Sequence, residues 1–533
     1  MWPEFTLHDL LANSVQRYPD KIAIVDGHHH YTYAELGRQA RALAEALLDE
    51  GVRPGDRVGV YLDKSWEAVV AVFAISQTGA AFVNINPLLK ERQVRHIVSD
   101  AGIGVLLTSA GKLQGMSLPE VHTIFYAGED MPVPMSQGAQ VRCRSMVQVM
   151  ARPTDSMPLR RVPVPETGMA TILYTSGSTG LPKGIMWSQH NLVVGAQIVS
   201  TYLENTADDR VLSVLPFSFD YGLNQLTTMV RVGGTLVLQR SSLPGEILRS
   251  LRDERITGLA GIPPVWVLLL QNHRALREQP LQCLRYITNS GGMVPQAHIE
   301  QLRRLLPYTK IYLMYGLTEA FRSTYLPPEE LERRPTSMGK AIPNTEIWVL
   351  NERGEHCKPG EVGELVHRGP TVAMGYWGNP EATARVYRSN PFLPPQAQCT
   401  EKVVYSGDLV RMDEDGFLYY VGRRDEQIKS EGYRMSPQEI EELLYTLPGI
   451  KEAVAFGVPE PSVGQRVAVV VSLQPDRPCT EDDIRQHFRV NAPPYMMPKF
   501  IEIWGELPKT PTGKIDRPAV KSRYVSPLSA EDA

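Results

Sequence analysis

The stretch Tyr174-Thr175-Ser176-Gly177-Ser178-Thr179-Gly180-Leu181-Pro182-Lys183-Gly184 concentrates glycines, hydroxyl side chains and one lysine. It follows a short apolar run, Thr171-Ile172-Leu173-Tyr174, which reads as a strand. Glycine lets the backbone turn sharply and approach a ligand closely, so successive N–H groups can converge on an anion. Thr175, Ser176, Ser178 and Thr179 add hydroxyls and Lys183 adds charge, which is the chemistry of a polyphosphate cradle. The stretch is not a Walker A loop, because Pro182 precedes the lysine and Gly184 follows it. Taken alone, it reads equally well as a Ser/Gly-rich surface loop.

Three further groups lie downstream. Tyr315-Gly316-Leu317-Thr318-Glu319 follows the strand-like run from Lys310 to Tyr315, which places it in a loop at a strand's C-terminal edge, where α/β sheets bind ligands. Tyr405-Ser406-Gly407-Asp408-Leu409 presents a carboxylate able to accept two hydrogen bonds at once. In Pro508-Lys509-Thr510-Pro511-Thr512-Gly513-Lys514, the glycine and prolines form a loop able to place Lys514. Each has an ordinary alternative when alone: a glycine turn with a solvated Glu, a capping Asp, a solvated Lys.

In this order and spacing, the four groups resemble the motifs of the adenylate-forming superfamily of acyl-CoA synthetases, peptide-synthetase adenylation domains and firefly luciferases. The resemblance runs from Tyr31-Thr32-Tyr33 to Arg517. It implies that ATP is held by Thr175, Ser176, Gly177, Ser178, Thr179, Gly180 and Lys183. Tyr315 would stack on adenine beside Gly316, Thr318 would contact the α-phosphate and Glu319 would hold Mg²⁺. Asp408 would accept from both ribose hydroxyls, and Arg423 would contact the ribose and phosphate. Asp425, in the charged run Gly422-Arg423-Arg424-Asp425-Glu426-Gln427-Ile428-Lys429, would be a hinge at a composition boundary. Gly432 matches a glycine near the pantetheine tunnel. Lys514 would enter the site during adenylation. Ser406 stands where the family usually has Thr.

The implied reaction is attack of a carboxylate on the α-phosphate of MgATP, loss of pyrophosphate, rotation of the C-terminal domain, and thiol attack on the acyl-adenylate to give a thioester and AMP. The expected thiol is that of CoA or of the phosphopantetheine of a free-standing carrier protein, because Ala533 leaves no room for a carrier domain. A catalytically reduced family member that only binds nucleotide or acyl groups is the alternative of another class. The intact Lys183, Glu319, Asp408 and Lys514 weigh against it.

The acid substrate is the open part. Pro216-Phe217-Ser218-Phe219-Asp220-Tyr221-Gly222 occupies the slot where many acyl-CoA synthetases carry P-L-F-H-x-x-G. Amino-acid-activating relatives carry Phe-Asp there, the Asp pairing with the substrate ammonium. Phe219 and Asp220 fit that pattern, although Tyr221-Gly222 is not its usual continuation. This favours an amino acid or amino-bearing small acid, with a non-amino carboxylic or fatty acid as the alternative. Asp220 as a helix N-cap is the competing structural role. Gly291 and Gly292, which close a strand, are also assigned to the acid substrate. Arg322 could face a second carboxylate or polar group, but a surface or structural arginine is the more ordinary reading.

Alternating strands and helices over residues 7–130 and again from Arg210 to Tyr315 predict an α/β fold, with a large N-terminal domain of two α/β subdomains plus a small β subdomain from about 335. The expected organisation is an N-terminal domain over 1–422, a hinge at 423–427 and a small mobile α+β domain over 428–533. Residues 130–168 read as an irregular connection.

Composition limits the partners. Hydrophobic and charged contents of 43% and 21% belong to a globular chain. A net charge of −4 gives no reason to expect nucleic acid. No apolar run is long enough for a membrane span and no secretory signal is visible. Five scattered cysteines fit free thiols in a reducing cytoplasm. His28-His29-His30 lacks ligand-spaced partners and reads as a turn.

Overall fold

The computed structural model describes residues 3–114, 116–130, 141–153, 162–175, 182–278, 280–424, 426, 428–430, 433–460, 464–492, 496–510 and 513–531. Two large sheets form its body. One has eight strands, with Arg57–Tyr61, Ala81–Asn84 and Met169–Thr175 at its centre, and Lys183–Ser188 and Gly375–Tyr376 at one edge. The other has nine, and its parallel heart runs through Arg210–Ser213, Gly258–Gly261, Tyr286–Asn289 and Lys310–Leu317.

The helix Trp66–Gln77 explains why the two sheets form one body. Ser65 caps it by accepting from the Ala68 N–H. Every residue from Val69 to Ile75 is fully buried. These side chains share one cluster with Val58 and Phe82 of the first sheet and with Ile24 and Leu236 of the second. A helix apolar on all sides has to be buried on all sides.

The two α/β units are not successive in the way the alternation suggests. Ile22–Asp26, from the start of the chain, pairs in parallel with Thr235–Leu238 of the second sheet, Ile24 opposite Leu236. The connection expected over 130–168 contains regular structure: Arg142–Ser145 extends the first sheet and leads into the helix Met146–Met150. The strand Lys183–Ser188 and the helices Gln189–Tyr202 and Pro263–Gln271 are additional to the sequence reading.

The β subdomain is built on Glu346–Leu350, Val362–Arg368 and the long strand Lys402–Met412, which also pairs with Leu418–Arg423. In the small C-terminal domain the helix Pro437–Thr446 opens with the expected capping box of Ser436 and Glu439. Its central strand Gly464–Leu473 is apolar without alternation because both faces are covered. Val467, Val469 and Val471 enter one cluster, and Ala468 and Val470 another. The helix Pro437–Thr446 packs on the strand Leu418–Arg423 of the large domain. Gln438 donates across the boundary to Met293 Sδ at 2.8 Å. Among the described residues no helix is long and apolar enough to cross a membrane.

Gly222 sits in the first turn of the helix Asp220–Val232, where an added Cβ would lie 2.1 Å from the Pro216 carbonyl oxygen. Relieving that contact needs backbone movement, which costs about 1–3 kcal/mol. Gly222→Ala should lower the melting temperature clearly in differential scanning fluorimetry. Gly245→Ala, at a helical position with nothing within 4 Å, should leave it unchanged or raise it slightly.

Candidate functional site

The strand Met169–Thr175 returns antiparallel as Lys183–Ser188, with Thr175 opposite Lys183. Lys183 is therefore the first residue of the return strand. Ser176, Gly177, Ser178, Thr179 and Gly180 lie outside the described residues, as do Asp425 and Gly432.

The return strand organises the next group. Thr318 and Glu319 form the turn of a hairpin between Lys310–Leu317 and Ala320–Leu326, while Tyr315 and Gly316 belong to the first of these strands. The motif is thus a β-hairpin tip in place of the expected strand-end loop. Trp187, on the return strand, donates through Nε1 to the Thr318 carbonyl at 2.9 Å. Tyr376, whose strand pairs with Ile185 of the return strand, donates to Glu319 Oε1 at 2.6 Å. Neither Trp187 nor Tyr376 carried a sequence signal, since an isolated aromatic residue on a strand usually reports packing.

Among the described residues no group of three or more His, Cys, Asp or Glu is placed to hold a metal. Glu319 offers its second carboxylate oxygen without a hydrogen-bond partner among those residues. Mg²⁺ takes one or two carboxylates plus phosphate oxygens, so a single Glu319 fits that ion together with a bound nucleotide.

Asp408 lies within the strand Lys402–Met412, not at a cap. Gly407, at φ +71°, turns the backbone there, and Ser406 accepts from the Asp408 N–H at 3.0 Å while donating to the Leu365 carbonyl at 2.7 Å. Ser406 thus supplies a hydroxyl of the kind Thr would. The Tyr315 hydroxyl donates to Asp408 Oδ2. Arg423 Nη1 stands at ion-pairing distance, 3.3 Å, from Oδ1, and among the described residues this buried oxygen accepts no hydrogen bond. Burial pushes the Asp408 carboxyl above its usual range, opposed by Arg423 and Tyr315. An orphaned, buried carboxylate oxygen is a place for an incoming hydroxyl.

Lys514 comes from the small domain. Its loop is tightened by Gly513 at φ +83° and by the Thr510 N–H donating to the Lys514 carbonyl at 2.7 Å. The ammonium reaches the large domain, 5.2 Å from the centroid of the Phe219 ring. Gly291, at φ +76°, leaves the space it occupies, since a Cβ there would stand 2.9 Å from Lys514 Nζ. Gly292 lies behind, its carbonyl accepting from Asn289 Nδ2 at 2.9 Å. Burial holds the Lys514 ammonium below the usual lysine range, and the Asp220 carboxylate pulls it back up.

Asp220 is the first residue of its helix, with Phe219 at the N-cap and no side-chain capping bond, so the capping alternative is not what the structure contains. It is 7% exposed. Burial pushes its carboxyl up, opposed first by Arg322, then by the Tyr221 backbone N–H and Lys514. The structure therefore gathers Lys514, Phe219, Asp220 and Gly291 into one site.

Arg322 is not a surface residue: it is 3% exposed. The hairpin register shifts between Tyr315 and Leu317, and Arg322 lies in the resulting bulge at φ +53°. That conformation is uncommon outside glycine and here turns the side chain inward. Gly316 makes room, since a Cβ on it would meet the Arg322 backbone at 3.0 Å. The imidazole of His367, held down to about 3 by burial, bonds Ser323 Oγ at 2.9 Å and Thr371 Oγ1 at 3.1 Å and braces the bulge.

Comparison with known proteins gives the family. The family model for AMP-binding enzymes matches residues 11–377, and the model for their C-terminal domain matches 439–514. The chain belongs to the AMP-binding enzyme family. It is a member of the adenylate-forming superfamily, as the motif order implied. Delta-poly-L-ornithine synthetase of Acinetobacter baumannii (strain AB307-0294) is 32% identical over 532 residues, which is 98% of this chain and 37% of that protein. The chain thus spans well under half the length of that relative. The long-chain-fatty-acid–CoA ligase of Bacillus subtilis (strain 168) is 28% identical over 539 residues, 97% of this chain and 94% of that protein. The solved anthranilate CoA ligase AuaEII in complex with anthranoyl-AMP superposes with a TM-score of 0.85 at 25% identity, covering 99% of each chain.

The Asp408 geometry yields a prediction about AMP binding. Tyr315 donates to the charged form of Asp408, so Tyr315→Phe raises that carboxyl further. Calorimetric AMP affinity should fall on acidification as Asp408 protonates, and in Tyr315→Phe it should fall at a higher pH. An acid limb unmoved by the substitution would dissociate Asp408 from nucleotide binding.

Proposed function

We propose that the protein adenylates a small amino-bearing carboxylic acid with MgATP and transfers the acyl group to the thiol of CoA or of a carrier protein's phosphopantetheine, releasing pyrophosphate and AMP. The observation that carries this reading is the meeting of Lys514 with Gly291, Phe219 and Asp220 across the domain boundary. An ammonium is brought into a site that already has a buried acidic group.

In this reading Lys514 lies where charge builds during attack on the α-phosphate, and Thr318 contacts that phosphate from the hairpin tip. Lys183, with Thr175 opposite it and the loop between them, faces the β- and γ-phosphates. Glu319 is the ligand for Mg²⁺, which when bound would neutralise phosphate charge. Tyr315 and Gly316 border the adenine, Asp408 takes the ribose hydroxyls and Arg423 contacts ribose and phosphate. Domain 1–422 would bind ATP and acid, and 428–533 would move about 423–427, with Asp425 as hinge, to withdraw Lys514 and admit the thiol. Asp220 receives the substrate ammonium. Kinship with both peptide-synthetase modules and CoA ligases supports a thioester product without choosing the thiol.

Two measurements test this. Lys514→Ala should lower pyrophosphate exchange by about 100-fold or more; undiminished exchange would remove the adenylation scheme. The kcat/KM profile should show an alkaline limb below the ordinary lysine range, because the ammonium is lost as pH rises through its lowered value. Asp220→Asn takes away the charge that opposes this lowering, so the limb should move to still lower pH. Equal exchange with amino acids and with their deaminated analogues would eliminate the ammonium role of Asp220.

A further inference from the structure

We infer that Arg322 receives a second, distal carboxylate of the acid that this site activates, so that the substrate is a short acid with an anionic side group. The inference rests on the adenylation reading above and names the substrate class of the same site.

The guanidinium lies 4.0 Å over the Tyr221 ring and 4.8 Å from the centroid of Phe321. Contacts of this kind with aromatic rings do not satisfy the in-plane N–H groups. Among the described residues it makes no hydrogen bond and no ion pair, and its Nε is buried without a partner. Asp220 acts on it through its field only; no carboxylate oxygen lies within ion-pairing distance among those residues. A guanidinium is always charged, and burying one without an acceptor is costly. The backbone strain at φ +53° adds to that cost, and strain of this kind persists where the surroundings impose it, commonly at ligand sites.

Arg322 also lines a cavity that holds other unmet polar atoms. Asn205, Gln225 and Thr228 border it, and their Oδ1, Oε1 and Oγ1 are buried without hydrogen-bond partners among the described residues. Its walls come from the helix that begins at Asp220 and from Ala260, Thr288 and Met314 on the strands beneath the site. The free space is about 20 Å³, room for a water-sized group. Tyr221 closes one side by donating to the Thr288 carbonyl at 2.8 Å. A short chain ending in a carboxylate satisfies the cation, and the combination of Asp220 with Arg322 is complementary in sign to an amino group and a distal carboxylate on one small molecule.

The test is ATP–pyrophosphate exchange with aspartate, glutamate, their side-chain amides, alanine, leucine, succinate and butyrate. The wild type should use a substrate with a second carboxylate at least about 100-fold better, in kcat/KM, than its neutral isostere. Arg322→Met keeps an unbranched stem against the Tyr221 ring and should erase or invert that preference while retaining exchange on the amide, which also reports that the variant is folded. Arg322→Lys should keep part of it. A neutral or apolar acid as the best wild-type substrate, or an unchanged preference in Arg322→Met, overturns the inference and leaves adenylation standing. Exchange with none of these acids, nor with any in a wider carboxylate panel, overturns the adenylation reading and this inference with it.

Discussion

The structure depends on a half-buried lysine that crosses a domain boundary. Lys514 leaves its own small domain to lie against the bare face of Gly291 and the ring of Phe219. A lysine taken out of water tends to lose its proton unless an anion is near, and Asp220 supplies that field. The arrangement links two features that are far apart in sequence: the helix whose first residue is Asp220, and the glycine-tightened loop that carries Lys514. Contacts between Gln438 and Met293, and between Pro437–Thr446 and Leu418–Arg423, hold the small domain where that reach is possible.

A second constraint is the strand Lys183–Ser188, one in from the sheet edge. It continues directly from the glycine-rich stretch, carries Trp187 to the Thr318 carbonyl and pairs with the strand that brings Tyr376 to Glu319. The lysine of the loop, the hairpin tip and the carboxylate suited to Mg²⁺ are therefore in register through one short piece of backbone. Hydrogen bonds from indole and phenol groups fix this register.

Much of this was legible in the residues. Motif order identified the family, alternation predicted the α/β layers, and Ser436 with Glu439 announced the helix of the small domain. What escaped had physical reasons. The pair Pro263-Pro264 gives no helical signal by propensity, yet proline is at home in the first turn of a helix and opens one here. Ile22–Asp26 joins the second sheet because partner choice between strands is a tertiary matter, and nothing within that short run encodes it. Asp220 sits one position inside the helix instead of capping it, a shift that sequence cannot resolve. Arg322 reads as a surface or structural arginine because its inward turn depends on the sign of a single backbone angle within a bulge. Trp187 and Tyr376 look like packing residues until their polar atoms are followed.

The bulge that sets Arg322 is anchored by an imidazole whose burial keeps it neutral to about pH 3, bonded on both sides to hydroxyls that do not ionise in that range. The mount of the guanidinium is therefore electrically silent. Acidification over the ordinary range changes the charges that meet in the pocket, Asp220 among them, but does not loosen the scaffold that aims the arginine. Any drift in acid selectivity with pH would report ionisation of the facing groups, with the geometry of the bulge held constant.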